Sequence, residues 1–241
     1  MSFLSKLRKS KQQKIPFCSV VIAAAGSSSR MNGEDKLFID LCGMPVLAHA
    51  LREFENCGYI EEIVIVGRED RISDISEICS KYGIAKAAKV MFGGATRQLS
   101  VFGGVFAVSP KAELIAVHDG ARPCIDRATI ERTIEAAAKH HAAAPAVPVT
   151  STIKKVKNGI ILETVDRSDL YEVQTPQVFA ADLIKAALTN AENKSLSITD
   201  ECKAVELIGA AVRITEGSHK NIKLTTHEDI AIAEAILGEL F

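Results

Sequence analysis

The sequence predicts an α/β protein built on a parallel sheet, and three observations predict it. Apolar runs without alternation recur along the chain, as in Val20-Val21-Ile22-Ala23-Ala24-Ala25, residues 60–66 and Leu114-Ile115-Ala116-Val117. Such runs read as strands buried on both faces. Segments with apolar residues at helical spacing lie between them, so strand and helix alternate at the interval of βαβ units. Three of the strands run directly into polar loops. Right-handed crossovers bring such strand ends to one edge, where open α/β sheets bind ligands.

The first strand leads into Gly26-Ser27-Ser28-Ser29-Arg30-Met31-Asn32-Gly33-Glu34-Asp35-Lys36. Small side chains let the backbone approach a ligand, and exposed N–H groups there bind phosphate oxygens. Arg30 and Lys36 add positive charge; an ordinary flexible loop is the competing reading. The stretch lacks the closing Gly-Lys-Ser/Thr of a Walker loop and the three spaced glycines of a dinucleotide-binding turn. Pro45 starts a helix with Leu47, Ala50, Leu51 and Phe54 on one face, and Gly58 ends it. Residues 60–66 form the second strand, stopped by Gly67. A helix through Ile75 and Ile78 follows, and residues 87–91 make a weaker third strand. Gly93-Gly94-Ala95-Thr96-Arg97-Gln98-Leu99-Ser100-Val101 then places a second loop beside the first. The strand over 114–117 ends in a third, His118-Asp119-Gly120-Ala121-Arg122-Pro123.

Residues 130–139 read as a helix, and residues 142–149 return to the sheet. Asn158-Gly159 between two β-rich runs is the strongest short hairpin signal available. Residues 150–170 are therefore read as a β-arm leaving the main domain, with surface enough to call for packing on a second subunit. Helices over 180–191 and 200–208 follow, the latter with Thr199 as N-cap. A short strand is placed at 211–214. A capping-box-like start at Thr226-His227-Glu228-Asp229 opens a last helix carrying Ile230, Ala233, Ile236 or Leu237, and Leu240. The expected organisation is one domain over 17–239, preceded by a disordered basic tail over 1–16.

The formal net charge of −1 over 241 residues gives no support to a nucleic-acid partner. The six cysteines lie far apart with no CxxC pair, so buried free thiols in a reducing compartment are expected, with no zinc site or disulfide framework. No apolar stretch reaches bilayer length. Residues 1–17 carry Lys6, Arg8, Lys9, Lys11 and Lys14 but no secretory h-region. The expectation is a cytoplasmic protein without a membrane partner.

Together the three loops hold backbone donors at Gly26 to Ser29, the cations Arg30 and Lys36, and Asp119, a hard oxygen ligand suited to Mg²⁺. Ser100 either caps its helix or reaches a nucleotide. His118 reads as an orienting or structural residue rather than a base. This inventory suits transfer of a phosphorus centre by positioning and charge neutralisation, in which an anionic substrate attacks without a strong protein base.

The chain resembles the 2-C-methyl-D-erythritol 4-phosphate cytidylyltransferases of the non-mevalonate isoprenoid pathway, a branch of the glycosyltransferase-A-like nucleotidyltransferases. The resemblance covers roughly residues 17–239. It rests on Ala24-Ala25-Gly26…Arg30-Met31…Lys36, Gly93-Gly94…Arg97-Gln98-Leu99-Ser100-Val101 and Val117-His118-Asp119…Ala121-Arg122-Pro123. It continues through Thr164-Val165-Asp166-Arg167, Thr175-Pro176-Gln177-Val178-Phe179, Ile198-Thr199-Asp200-Glu201 and Asn221-Ile222-Lys223-Leu224-Thr225…Glu228-Asp229. The resemblance implies a Rossmann-like sheet with a protruding β-arm. It also implies transfer of a cytidylyl group from CTP to methylerythritol phosphate, with release of pyrophosphate.

By the same resemblance, Ala24, Ala25, Gly26, Gly93 and Ser100 line the cytidine and ribose pocket. Arg30 and Lys36 hold the triphosphate, Asp119 binds Mg²⁺, and Lys223 approaches the α-phosphate. Arg122, Thr152, Arg167 and Thr199 bind the acceptor, with Thr152 and Arg167 carried by an arm exchanged across a homodimer. Surface or arm-closing ion pairs are the competing reading of Arg122 and Arg167, and a plain strand position that of Thr152. A cytidylyltransferase for another polyol phosphate, such as ribitol 5-phosphate, is the nearest rival. Serines stand where a second glycine is common, and Asp35 replaces a proline before Lys36. The neighbouring carboxylate is expected to weaken the pull of that lysine on triphosphate.

Overall fold

The computed structural model describes residues 15–26 and 35–238. Residues 1–14 of the expected tail, Arg30 with the serines beside it, and Leu240 lie outside the described residues; Ile15, placed in that tail, is half-buried against the core. In chain order the elements begin with β1 (Cys18–Ala24), the short pair β2 (Asp40–Leu41) and β3 (Met44–Pro45), α1 (Val46–Asn56), β4 (Ile60–Gly67) and α2 (Ile72–Lys81). Next come β5 (Ala87–Phe92), α3 (Arg97–Ala107), β6 (Leu114–Asp119), α4 (Arg127–His140) and β7 (Ala142–Pro148). The hairpin β8 (Ile153–Lys157) and β9 (Ile160–Val165) precedes β10 (Tyr171–Val173) and β11 (Gln177–Ala180). The chain closes with α5 (Ala181–Asn193), α6 (Glu201–Leu207), β12 (Arg213–Glu216) and α7 (Glu228–Gly238).

The sheet runs β10-β7-β11-β6-β1-β4-β5, with β12 parallel to β7. β1 lies between β6 and β4 and is parallel to both. The sheet is the Rossmann-like one expected, and its strand direction is mixed. The cause is the return from the arm: β11 runs antiparallel to both β6 and β7 and fills the space between them.

Alternation along β1 feeds both faces. Val20, Ile22 and Ala24 join a core with Leu47, Leu51, Phe54, Ile130, Ile134 and Leu237. Val21 joins the opposite one with Val101, Val105, Ile184, Leu188 and Val205. Each fully buried aliphatic side chain of this kind contributes about 1.5–3 kcal/mol of burial. α3 lies close on its face because Gly104 has no Cβ; one built there would meet Val21 Cγ1 at 2.5 Å and Val66 Cγ2 at 2.8 Å.

The hairpin forms its own two-stranded sheet with Asn158 and Gly159 at φ 52° and 77°. Those positive values are what an Asn-Gly turn of the I′ kind requires. Ile160, Ile161 and Leu162 on it are exposed. Five cysteines are buried and Cys42 is exposed. No helix among the described residues is long and apolar enough to cross a membrane.

Two capping assignments differ from expectation. Asp200, not Thr199, caps α6 by accepting from the Lys203 N–H at 3.0 Å. A carboxylate at the same junction is the stronger acceptor for a helix N-terminus. Thr96 caps α3 by accepting from the Leu99 N–H at 3.1 Å, whereas Ser100 sits one turn inside and donates to the Thr96 carbonyl at 2.8 Å. The late strand falls at 213–216 rather than 211–214, because Gly209, at φ 79°, ends α6 and the chain first has to reach β7.

Candidate active site

Asp119 ends β6 with 7 % of its surface exposed. Its Oδ2 lies 2.8 Å from Lys223 Nζ and 3.6 Å from Arg122 Nε, and its Oδ1 lies 3.2 Å from Arg97 Nε. Burial by itself would raise this carboxyl; the charges of Arg97, Lys223 and Arg122 outweigh it and hold the group well below the usual carboxylate range. Arg97 in turn donates to both oxygens of the fully buried Glu201, at 2.8 and 3.0 Å. Burial pushes Glu201 up against the pull of Arg97.

The strand end is locked from beneath. Thr175 Oγ1 accepts the Asp119 N–H at 3.1 Å, so its hydroxyl proton is directed at His118 Nδ1, 3.0 Å away. The Nε2–H of that ring then faces the Arg122 carbonyl at 3.4 Å. Burial lowers His118 to about 3, which keeps it neutral in this tautomer. The sequence reading of His118 was an orienting or structural residue rather than a base; its ring is fully buried and bridges Thr175 and the Arg122 carbonyl.

Residues 218–225 close over the site. Asn221 donates to the Thr175 carbonyl at 2.9 Å, Arg122 Nη1 to the Asn221 carbonyl at 2.7 Å, and the Leu224 N–H to the Ala121 carbonyl at 2.9 Å. Lys36 Nζ donates to the Leu224 carbonyl at 2.8 Å, which ties the first loop to this segment. Lys223 is set between these anchors.

Two cavities meet at Asp119. One, of about 170 Å³, is lined by Ala23, Ala25, Gly26, Lys36, Leu37, Ser100 and Ala121. The other, of about 220 Å³, is lined by Arg122, Val173, Thr175, Gln177, Thr199 and Asp200. Both include Arg97, Asp119 and Lys223, which form the wall between them. Arg122 Nε is buried without a hydrogen-bond acceptor, its 3.6 Å approach to Asp119 being too long for one. A larger cavity, of about 310 Å³ between Met44, His49, Glu53 and Leu237, holds none of the predicted residues and no cluster of phosphate-binding groups.

The structure therefore gathers Ala25, Gly26, Lys36, Ser100, Asp119, Lys223, Arg122 and Thr199 at one place. Gly93 supports the first cavity from behind, since a Cβ there would collide with Ser100 Oγ and Ala25 Cβ. The side chain of Ala24 instead enters the core, and Ala23 and Ala25 take the lining positions, as strand alternation requires. Thr152 and Arg167 do not line either cavity of their own chain; Arg167 Nη1 donates to the Thr150 carbonyl within the arm. Sequence reasoning gave no role to Arg97, Glu201 or Thr175. Their signal was present in the motif stretches 93–101, 175–179 and 198–201, but their partners lie 22 to 104 residues away.

A family model described as 2-C-methyl-D-erythritol 4-phosphate cytidylyltransferase matches residues 18–239. The chain belongs to that family. A cytidylyltransferase of this name from Halalkalibacterium halodurans is 47 % identical over 222 residues, 92 % of this chain and 97 % of that protein. The crystal structure of a 4-diphosphocytidyl-2C-methyl-D-erythritol synthase from Anaerococcus prevotii superposes with a TM-score of 0.82 at 32 % identity, covering 92 % of this chain and 96 % of that one. The family enzyme from Thermus thermophilus superposes at 0.76 with 30 % identity, covering 91 % of this chain and 98 % of the other. The family is one of nucleotidyltransferases, so the two-cavity site belongs to an enzyme.

Among the described residues no group of three side chains could hold a metal ion. Mg²⁺ commonly takes one or two carboxylates and completes its shell with substrate phosphates and water. The single ionised carboxylate of Asp119, facing a cavity rich in cationic groups, fits that donor set.

Proposed function

We infer that this chain transfers the cytidylyl group of CTP to 2-C-methyl-D-erythritol 4-phosphate, giving 4-CDP-2-C-methyl-D-erythritol and pyrophosphate. The observation that carries this reading is the wall of Asp119, Lys223 and Arg97 between two cavities. One cavity has the small residues and the lysine that a nucleoside triphosphate needs. The other has a buried arginine N–H without an acceptor, which an incoming phosphate oxygen would satisfy.

In this reading Ala25, Gly26, Gly93 and Ser100, with the backbone at Ala24, hold cytidine and ribose. Arg30 and Lys36 hold the triphosphate, Arg30 by resemblance alone. Arg122 and Thr199 receive the acceptor, and Thr152 and Arg167 reach it from the arm of a partner subunit in a homodimer. A phosphate oxygen of the acceptor attacks the α-phosphorus while the bond from that phosphorus to the α–β bridging oxygen breaks. The electron pair leaves with pyrophosphate. The attacking oxygen is already anionic, so no residue has to remove a proton, and the neutral His118 is not a base. Lys223 offsets charge at the α-phosphate and Lys36 offsets the charge developing on the bridging oxygen. Bound Mg²⁺, held by Asp119, would supply neutralisation across the phosphates. A cytoplasmic location accords with the buried free thiols.

Purified protein given CTP, Mg²⁺ and methylerythritol phosphate is expected to release pyrophosphate, and ribitol 5-phosphate to be a poor substitute. Equal rates with the two acceptors would overturn the acceptor assignment. Excess chelator is expected to abolish turnover, and Asp119→Asn to lose activity even at saturating CTP. Full activity in chelator would overturn the metal role.

A further inference from the structure

Asp35, next to Lys36, is buried, with 6 % of its side chain exposed. Its Oδ2 lies 3.4 Å from Arg68 Nη1 and 3.8 Å from Arg71 Nε, two residues that follow β4. Its Oδ1 accepts the Leu37 N–H at 3.3 Å, and its carbonyl accepts the Phe38 N–H at 2.9 Å. Lys36 therefore sits at the corner of a closed turn. Leu37, on its other side, is sunk in the core at 4 % exposure. The arginines are themselves held: Arg68 Nε donates to Asp70 at 3.0 Å, Arg71 Nη1 to Asp74 at 2.7 Å, and the Arg71 guanidinium lies 5.0 Å above the Phe38 ring.

We propose that Asp35 is a positioning residue for Lys36, its buried carboxylate clamped by Arg68 and Arg71 so that the turn presents the lysine to the nucleotide cavity in one geometry. The sequence reading expected Asp35 to weaken the lysine's pull. The structure turns its charge toward the two arginines instead. The Arg68 and Arg71 side chains are 35 and 39 % exposed, which weakens each pair, but the acid they share is buried, and without their charge it would be left desolvated at the turn. A misplaced charge-stabilising group is costly in rate, since its effect depends on sub-ångström placement.

This inference rests on the role given to Lys36 above, and the test separates the two. Lys36→Ala is expected to lower kcat by roughly 10²-fold, the scale for one well-placed oxyanion donor. Asp35→Asn keeps the size and an oxygen for the Leu37 N–H but removes the charge. It is expected to lower kcat about tenfold with the KM for CTP changed less than about twofold. In a Lys36→Ala background the same change should cause no further loss, the non-additivity of two residues acting as one. Arg68→Gln should reproduce the Asp35→Asn loss and not add to it, which covers the case in which one variant folds poorly. A wild-type kcat in Asp35→Asn, or a full additional loss in the Lys36→Ala background, would overturn the inference while leaving Lys36 its role. A wild-type kcat in Lys36→Ala would overturn both.

Discussion

His118 is wholly buried, edge-on to the Phe54 ring at 4.8 Å between centroids, and neutral because burial lowers it from 6.5 to about 3. Below pH 6.5 the unfolded chain takes up a proton at this position that the folded one refuses, so stability falls as pH drops from about 6.5 toward 3. The slope is up to about 1.4 kcal/mol per pH unit for each such proton. His49 is buried and lowered in the same direction and shares the effect. Asp119, held below the usual carboxylate range, adds to the loss only under about pH 4, where the unfolded carboxyl protonates first. Urea unfolding between pH 6.5 and 4.5 is expected to show this slope, reduced in His118→Gln and reduced further when His49→Gln is added. An unchanged slope in the double variant would assign it to other groups. At this scale the sequence exposed Asp119, Lys36, Ser100, Arg122 and Lys223, because each lies on a loop at a strand end or in a motif. It hid Arg97, whose partner Glu201 is supplied by α6, and it could not show which way Asp35 turns.

α3 is the element whose position sets the first cavity, carrying Arg97 and Ser100 from its first turns. Its approach to the sheet depends on Gly104, where a Cβ would enter the space of Val21 and Val66. Gly104→Ala overpacks that contact, against the better helix propensity of alanine, and is expected to destabilise the fold by about 1–3 kcal/mol. The helix would shift outward with Ser100, so the KM for CTP should rise while the KM for the acceptor stays constant. Denaturant unfolding and steady-state kinetics check both, and a stabilised variant with wild-type KM would refute the close-approach argument. Helices and parallel strands were legible here from apolar spacing alone. β10 and β11 were not, being three and four residues long and defined by pairing with β7, and for β11 also with β6, rather than by a pattern of their own.

At the scale of the whole molecule the arm stands apart from both cavities, with Ile160, Ile161 and Leu162 at 67, 60 and 55 % exposure. An arginine used for phosphate must be held in place, and within its own chain the Arg167 guanidinium donates to the arm's own Thr150 carbonyl. Packing against a second copy would cover the apolar strand and order the arginine together. Arg167→Ala and Lys36→Ala, each expected to be strongly impaired alone, are expected to regain part of the activity when mixed under conditions of subunit exchange. One site of the mixed dimer then has both residues intact. No recovery, with mixed dimers demonstrated, would place Arg167 in its own subunit's pocket.

The sequence alone determined the alternation of strand and helix, the edge at which the three loops emerge, the Asn-Gly arm and the family. All of these are written in local periodicity, turn chemistry and contiguous motifs. Only the tertiary structure decided that β11 returns antiparallel between β6 and β7, that Asp119 is shared by Lys223, Arg97 and Arg122, and that Asp35 answers to Arg68 and Arg71. Each of those depends on groups separated by 3 to 104 residues, and mostly by more than 20, meeting at distances under 4 Å. Pairing of that kind is fixed by how the layers stack, and leaves no periodic trace in the chain.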